Sequence, residues 1–143
     1  MVHRLNGRMP LQTYKIKAGR SFRGKIVVND TRQKEAGATL QALTACNSEG
    51  KTIDITGKVT DNGTLDWKPE PGEWELTAAF CGKTLQRVKR AAPGGEGLTF
   101  DHFSRDAVKT YLTRFDSAFH GSGQGIRCFF NDSYELFGTN WTP

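Results

Sequence analysis

Trp74-Glu75-Leu76-Thr77-Ala78-Ala79-Phe80 alternates residue by residue. Trp74, Leu76, Ala78 and Phe80 fall on one side, and Glu75 and Thr77 on the other. A period of two is the mark of a strand with one face in a core and one in water. The stretch follows the turn Pro69-Glu70-Pro71-Gly72. Ahead of that turn Leu65 and Trp67 alternate around Asp66, introduced by Asp61-Asn62-Gly63-Thr64, where Asn-Gly supplies the positive φ angles of a tight turn. The same reading extends upstream. Lys51–Thr56 puts Ile53 and Ile55 on one face, and Ala38–Ala45 is too short between Gly37 and Asn47 to favour a helix. Phe22 with Lys25–Val28 forms a β-branched run, and Leu11–Lys17 is a loose edge strand. Thr31–Gly37 is polar and reads as a hairpin connection. These short antiparallel strands have sandwich grammar, with a core of Trp67, Trp74, Ile53, Ile55 and Phe22. The competing role for the two tryptophans is a stacking platform for sugars.

With 143 residues, 36% of them hydrophobic, the chain can build one modest domain or one and a half small ones. No apolar run approaches the roughly 20 residues of a membrane helix, and no secretory signal opens the chain. The chain as given is therefore expected in the cytoplasm or is left unplaced, since a larger parent protein could carry a signal upstream. The net charge is +5, densest at Lys83, Arg87, Lys89 and Arg90. Leu85 and Val88 interrupt that patch and no nucleic-acid motif accompanies it, so it reads as a solvated strand edge and nucleic acid is not an expected partner. Cys46, Cys81 and Cys128 are odd in number and form no C-x-x-C pair, which suggests neither zinc nor dithiol chemistry. Cys128 reads as a small buried hydrophobe.

The grammar changes after Arg90. Ala91-Ala92-Pro93-Gly94-Gly95-Glu96-Gly97 has little side-chain bulk and cannot continue a strand. Leu98–Phe103 reads as a short strand or turn ending in polar groups. Ser104 then caps a helix over 105–119, in which Val108, Tyr111, Leu112, Phe115 and Phe119 share one face and Asp106 sits favourably in the first turn. A glycine-rich turn leads to Ile126-Arg127-Cys128-Phe129-Phe130, an apolar strand with Phe129 and Phe130 in the core on opposite faces, and then to Asn131-Asp132-Ser133-Tyr134-Glu135. A strand, a helix and a second strand, if parallel, bring Asp101-His102 and Asn131–Glu135 to one sheet edge, where α/β proteins place their sites. The expected fold is α+β: an antiparallel, sandwich-like segment over 1–90, followed over 91–143 by a β-α-β piece of an incomplete (β/α)8 barrel.

Three segments resemble the catalytic region of the bacterial α-L-rhamnosidases, a family of large multidomain glycoside hydrolases. They are Gly82-Lys83-Thr84 with Val88–Gly97, Asp101-His102-Phe103-Ser104, and Phe130–Gly138 with Trp141-Thr142-Pro143. Asp61–Trp67 and Pro71–Trp74 resemble the β-rich segment that precedes this region. The resemblance implies a (β/α)8 barrel with β-sandwich accessories, a periplasmic or secreted parent enzyme, and calcium-assisted acid/base cleavage of rhamnosides with inversion. The implied partner is a rhamnose-containing oligosaccharide or polysaccharide. A barrel takes about 250 residues, so the chain reads as a piece of a larger enzyme.

Glycoside hydrolysis ordinarily uses two carboxyl groups. Glu135, beyond the apolar run, is the candidate catalytic group. Asp101, His102, Asn131, Asp132, Tyr134 and Trp141 are candidate substrate ligands. Glu96 and Asp132 are the candidate calcium ligands, with no spacing that fixes them. The second catalytic carboxylate is expected elsewhere, so the isolated chain is not expected to turn over substrate. Two other readings compete: a freestanding carbohydrate-binding β-domain resting on Trp67, Trp74 and Trp141, and a structural remnant without activity. The apolar helix face needs a cover, for which a homodimer is one candidate.

Overall fold

The computed structural model describes residues 7–120, 122–128, 130 and 135–142. A two-residue strand, β1 (Gly7–Arg8), comes first, followed by β2 (Leu11–Ile16), β3 (Phe22–Lys25), helix α1 (Thr31–Glu35), β4 (Thr39–Asn47), β5 (Thr52–Asp54), a 3-10 turn (Thr56–Lys58), β6 (Thr64–Trp67), β7 (Trp74–Lys83) and helix α2 (Arg105–Phe119). The chain divides into two compact units, Met9–Gly82 and a second one made of Met1–Arg8 with Lys83–Pro143.

Met9–Gly82 is a small antiparallel sandwich. In its larger sheet the strand order is β2-β7-β4-β5. β7 is interior to that sheet, pairing Leu76 with Tyr14 on one side and with Ala45 on the other. The second sheet is the hairpin β3–β6, in register from Phe22↔Trp67 to Lys25↔Thr64. Gly63 makes the approach to β6 with φ +81, donates to the Thr60 carbonyl, and lends its own carbonyl to Ile26 N–H at 2.9 Å.

The core lies between the two sheets. Leu43 and Ala45 of β4, Trp74, Leu76, Ala78 and Phe80 of β7, Leu65 and Trp67 of β6, and Ile16, Ile26, Val28 and Ile55 are all buried in one cluster. Trp67 and Trp74 meet edge to face, ring centroids 5.5 Å apart at 89°, a favoured aromatic geometry. The Trp74 indole N–H donates to the Glu70 carbonyl at 3.1 Å. At 8% and 3% exposure these rings offer no face to a ligand. They are core, and the carbohydrate-binding alternative loses two of its three aromatic groups.

Thr31–Gly37 is not a plain hairpin connection, since Thr31–Glu35 closes into a single helical turn. Asp30 caps it by accepting from Gln33 N–H at 3.2 Å, and Gly37, at φ +72, ends it. Five polar residues carry no apolar period, so the cap was the one local signal.

In the second unit α2 spans Arg105–Phe119, with Ser104 Oγ accepting from Ala107 N–H and Asp106 in the first turn, as the residue pattern predicts. His120 closes it in the left-handed region at φ 48. Phe100 stacks on Tyr111 at 4.8 Å, and Tyr111 meets Phe115 edge to face. Tyr111, Leu112, Phe115 and Phe119 remain exposed.

The protein is thus α+β, with antiparallel sheets and, among the described residues, no sheet closed into a barrel. The two strands expected on either side of α2 need correction. Leu98–Phe103 carries isolated bridges at Leu98, antiparallel to Arg87, and at Phe100, and then turns at His102-Phe103, in place of a continuous strand. Ile126–Cys128 and Phe130 are not in a strand; Cys128 is exposed, and Phe130 is 86% exposed where a core position was expected. Phe129 lies outside the described residues. The physical reason is that an apolar run becomes a strand only beside a sheet edge that takes its backbone hydrogen bonds. Among the described residues no strand pairs with this one.

Candidate functional site

The chain leaves β7 and turns sharply at Leu85, whose φ of 56 is left-handed and sterically costly for a residue with a side chain. Gln86 follows and is a centre of hydrogen bonding. Its carbonyl accepts from Thr99 N–H at 2.9 Å and from the Thr99 hydroxyl at 3.2 Å. Val88 N–H donates to the Gly97 carbonyl at 2.9 Å, which closes the glycine-rich loop into a hairpin-like collar. Arg87, Lys89 and Arg90 are exposed on that collar.

The side chain of Gln86 reaches the C-terminal segment. Its Nε2 donates to the carbonyl of Glu135 at 2.6 Å, and its Oε1 accepts from Phe137 N–H at 2.9 Å. The residue singled out for catalysis, Glu135, is exposed and held by its backbone. Asn131, Asp132 and Tyr134, expected around it, lie outside the described residues.

Asp101 is fully buried at 0% exposure. Its Oδ1 accepts from Phe103 N–H at 3.1 Å and its Oδ2 from the Thr142 hydroxyl at 2.5 Å. Both carboxylate oxygens are therefore engaged within the fold, and the group ties the approach to α2 to the end of the described chain. His102 is half-buried with its ring 4.3 Å from that of Phe103. Trp141 is half-buried, and the main chain there is packed so closely on β1 that a Cβ at Gly7 would lie 1.9 Å from the Trp141 carbonyl oxygen. The Trp141 indole N–H and the Thr139 hydroxyl are both buried atoms with no hydrogen-bond partner among the described residues.

Glu96, a candidate calcium ligand, is exposed and its Oε2 accepts from Gly94 N–H at 2.9 Å within its own loop. Among the described residues no three His, Cys, Asp or Glu side chains gather so as to hold a metal ion. Asp132, the other candidate calcium ligand, lies outside the described residues.

Gln86, Thr142 and Gly7 carry the geometry of this region, and of these Thr142 alone lay in a segment that carried the family resemblance. A glutamine between Leu85 and Arg87 has no motif around it, and Thr142 and Gly7 matter only for what lies opposite them. The arrangement presents the exposed carboxyl group of Glu135 on a pinned backbone.

The profile of a glycoside hydrolase family described as alpha-L-rhamnosidase matches residues 4–143. A protein of Formosa agariphila provisionally named a beta-glucuronidase is 29% identical over 93% of this chain and 12% of its own length. The chain thus spans about an eighth of that curated relative. No solved structure matches significantly.

Proposed function

Because the chain belongs to the alpha-L-rhamnosidase family of glycoside hydrolases, we propose that it forms the part of such an enzyme that supplies one catalytic carboxyl group, Glu135. The reaction is acid/base hydrolysis of α-L-rhamnosides in an oligosaccharide or polysaccharide, with inversion. The observation that carries this reading is the family match over residues 4–143, a range that includes Glu135. Glu135's exposure on a backbone held by Gln86 supports it.

In an inverting reaction one carboxylic acid protonates the leaving oxygen and the other activates water from the opposite face of the ring. Glu135 takes one of these roles, and the partner carboxyl group comes from outside these residues. Separated from that partner, Glu135 has neither the geometry nor the tuned acidity for turnover, so the isolated chain is inactive. Asn131, Asp132, Tyr134 and His102 bind sugar hydroxyls in this proposal. Trp141, which is half-buried, provides a stacking face. The parent enzyme works in the periplasm or outside the cell. In the isolated chain a second copy covers the exposed face of α2; sedimentation equilibrium showing a monomer at high concentration overturns that part.

The test is hydrolysis of aryl α-L-rhamnoside and aryl β-glucuronide by a full-length protein carrying this segment. Turnover of the rhamnoside, lowered by about 10²–10⁴ in Glu135→Gln, with the inverted anomer seen first by NMR, is the expected result. Full rhamnosidase activity in Glu135→Gln removes Glu135 from the chemistry. Turnover of the glucuronide alone changes the sugar class to the one named for the Formosa relative.

A further inference from the structure

We infer that Gln86 is a positioning residue that sets the backbone of the Glu135 segment by standing in for a missing strand neighbour. In a parallel sheet a residue bonds to the carbonyl before, and the amide after, the residue opposite it. The Gln86 side-chain amide does the same: it donates to Glu135 O at 2.6 Å and accepts from Phe137 N–H at 2.9 Å, bracketing Leu136. A primary amide is suited to this because it carries one donor and one acceptor in one plane, as a peptide group does.

Two features hold that amide in place. The Gln86 backbone carbonyl is occupied by the amide and hydroxyl of Thr99. The preceding residue, Leu85, is held in the left-handed region at φ 56. A strained conformation of this kind persists where the surroundings over-determine it. The collar formed by residues 86–99 thus carries the clamp, and the clamp fixes the direction from which residue 135 leaves the backbone. Its meaning for catalysis rests on the reading of Glu135 given above, whereas the clamp itself can be tested without turnover.

The test is amide hydrogen exchange of the 143-residue chain followed by NMR. Gln86→Leu, which keeps size and removes both polar groups, should speed exchange at Phe137 about tenfold, the loss expected for one net hydrogen bond. Exchange at Thr99, whose amide bonds to the Gln86 backbone carbonyl, should stay unchanged and so report that the collar is intact. Gln86→Glu adds a signature that general loosening does not produce. Its carboxylate can accept from Phe137 but cannot donate to Glu135, and on protonation, below roughly pH 4.3, it regains a donor. Cleavage after Glu135 by a glutamate-specific protease at neutral pH should be faster in both variants than in the wild type. In Gln86→Glu, Phe137 protection, corrected for intrinsic rates, should approach the wild-type value as the pH falls through that range. Unchanged Phe137 exchange in Gln86→Leu with Thr99 still protected overturns the clamp. If Gln86→Leu loses Thr99 protection as well, the pH behaviour of Gln86→Glu decides, and a flat profile overturns it. Retained activity in Glu135→Gln would remove the catalytic reading and leave these exchange results standing.

Discussion

The Thr142 hydroxyl donates to Oδ2 of Asp101 at 2.5 Å, joining residues 41 positions apart, and Asp101 is fully buried where they meet. A carboxylate out of water is tolerable only when its oxygens are satisfied. Here Oδ1 takes the Phe103 amide and Oδ2 takes Thr142.

Asp101→Ala should therefore destabilise the chain by about 1–3 kcal/mol, since the Phe103 amide and Thr142 hydroxyl lose their acceptor. Thr142→Val should cost less. The double variant should show a coupling of about 0.5–3 kcal/mol. Urea denaturation of the four proteins measures it, and additive effects would mean that the pair does not cooperate.

Trp67→Ala and Trp74→Ala should each lower stability by about 3–5 kcal/mol, because each removes a large buried ring from one continuous core. Denaturant midpoints read this directly. A stability change within experimental error would show that the sandwich core does not depend on the pair. Neither tryptophan is exposed enough to act as a sugar platform.

Ser104→Ala should cost about 1 kcal/mol, since Ser104 Oγ accepts from Ala107 N–H at the start of α2. Ser104→Asp should recover most of the loss, as an aspartate caps as well and suits the helix dipole. Thermal unfolding followed at the helix band checks both. No recovery in Ser104→Asp would mean that the buried site rejects a charge.

Asp54 accepts from both the hydroxyl and the amide of Thr56, at 2.6 and 2.9 Å. The Thr56 side-chain bond first, and its backbone bond second, hold the Asp54 carboxyl below its usual range. A folded value below the unfolded one favours the folded state above the unfolded value, about 3.9. That contribution is lost as the pH falls through the folded value. The stability difference between the wild type and Asp54→Asn should thus be constant near neutrality and shrink below about pH 4. A difference independent of pH would rule out the charged form as its source. Thr56 also accepts from Leu43 N–H at 2.8 Å, so the same small cluster fastens the 3-10 turn to β4.

The collar and the C-terminal segment show where local reading stopped. Ile126–Phe130 has the composition of a buried strand, yet Ile126–Cys128 and Phe130 form none, and Phe130 is 86% exposed. Composition reports what a segment is able to bury; whether it becomes a strand depends on a neighbour's free backbone groups. For Glu135–Phe137 a side-chain amide provides two of those bonds, and nothing near Gln86 in the chain signals it.

What the sequence determined by itself was everything carried by short-range periodicity and caps. The alternation from Trp74 to Phe80 specified β7 and its buried face, Asp61–Thr64 specified a turn, and Ser104 with the three- and four-residue spacing specified α2 from end to end. These signals are local because backbone geometry repeats over two or 3.6 residues. Tertiary structure alone decided that β7 would be paired on both sides, that Trp67 and Trp74 would meet at a right angle, and that Asp101 and Gln86 would hold the C-terminal segment. Each of those depends on which distant groups remain unpaired after local structure has formed, and that is a property of the assembled chain.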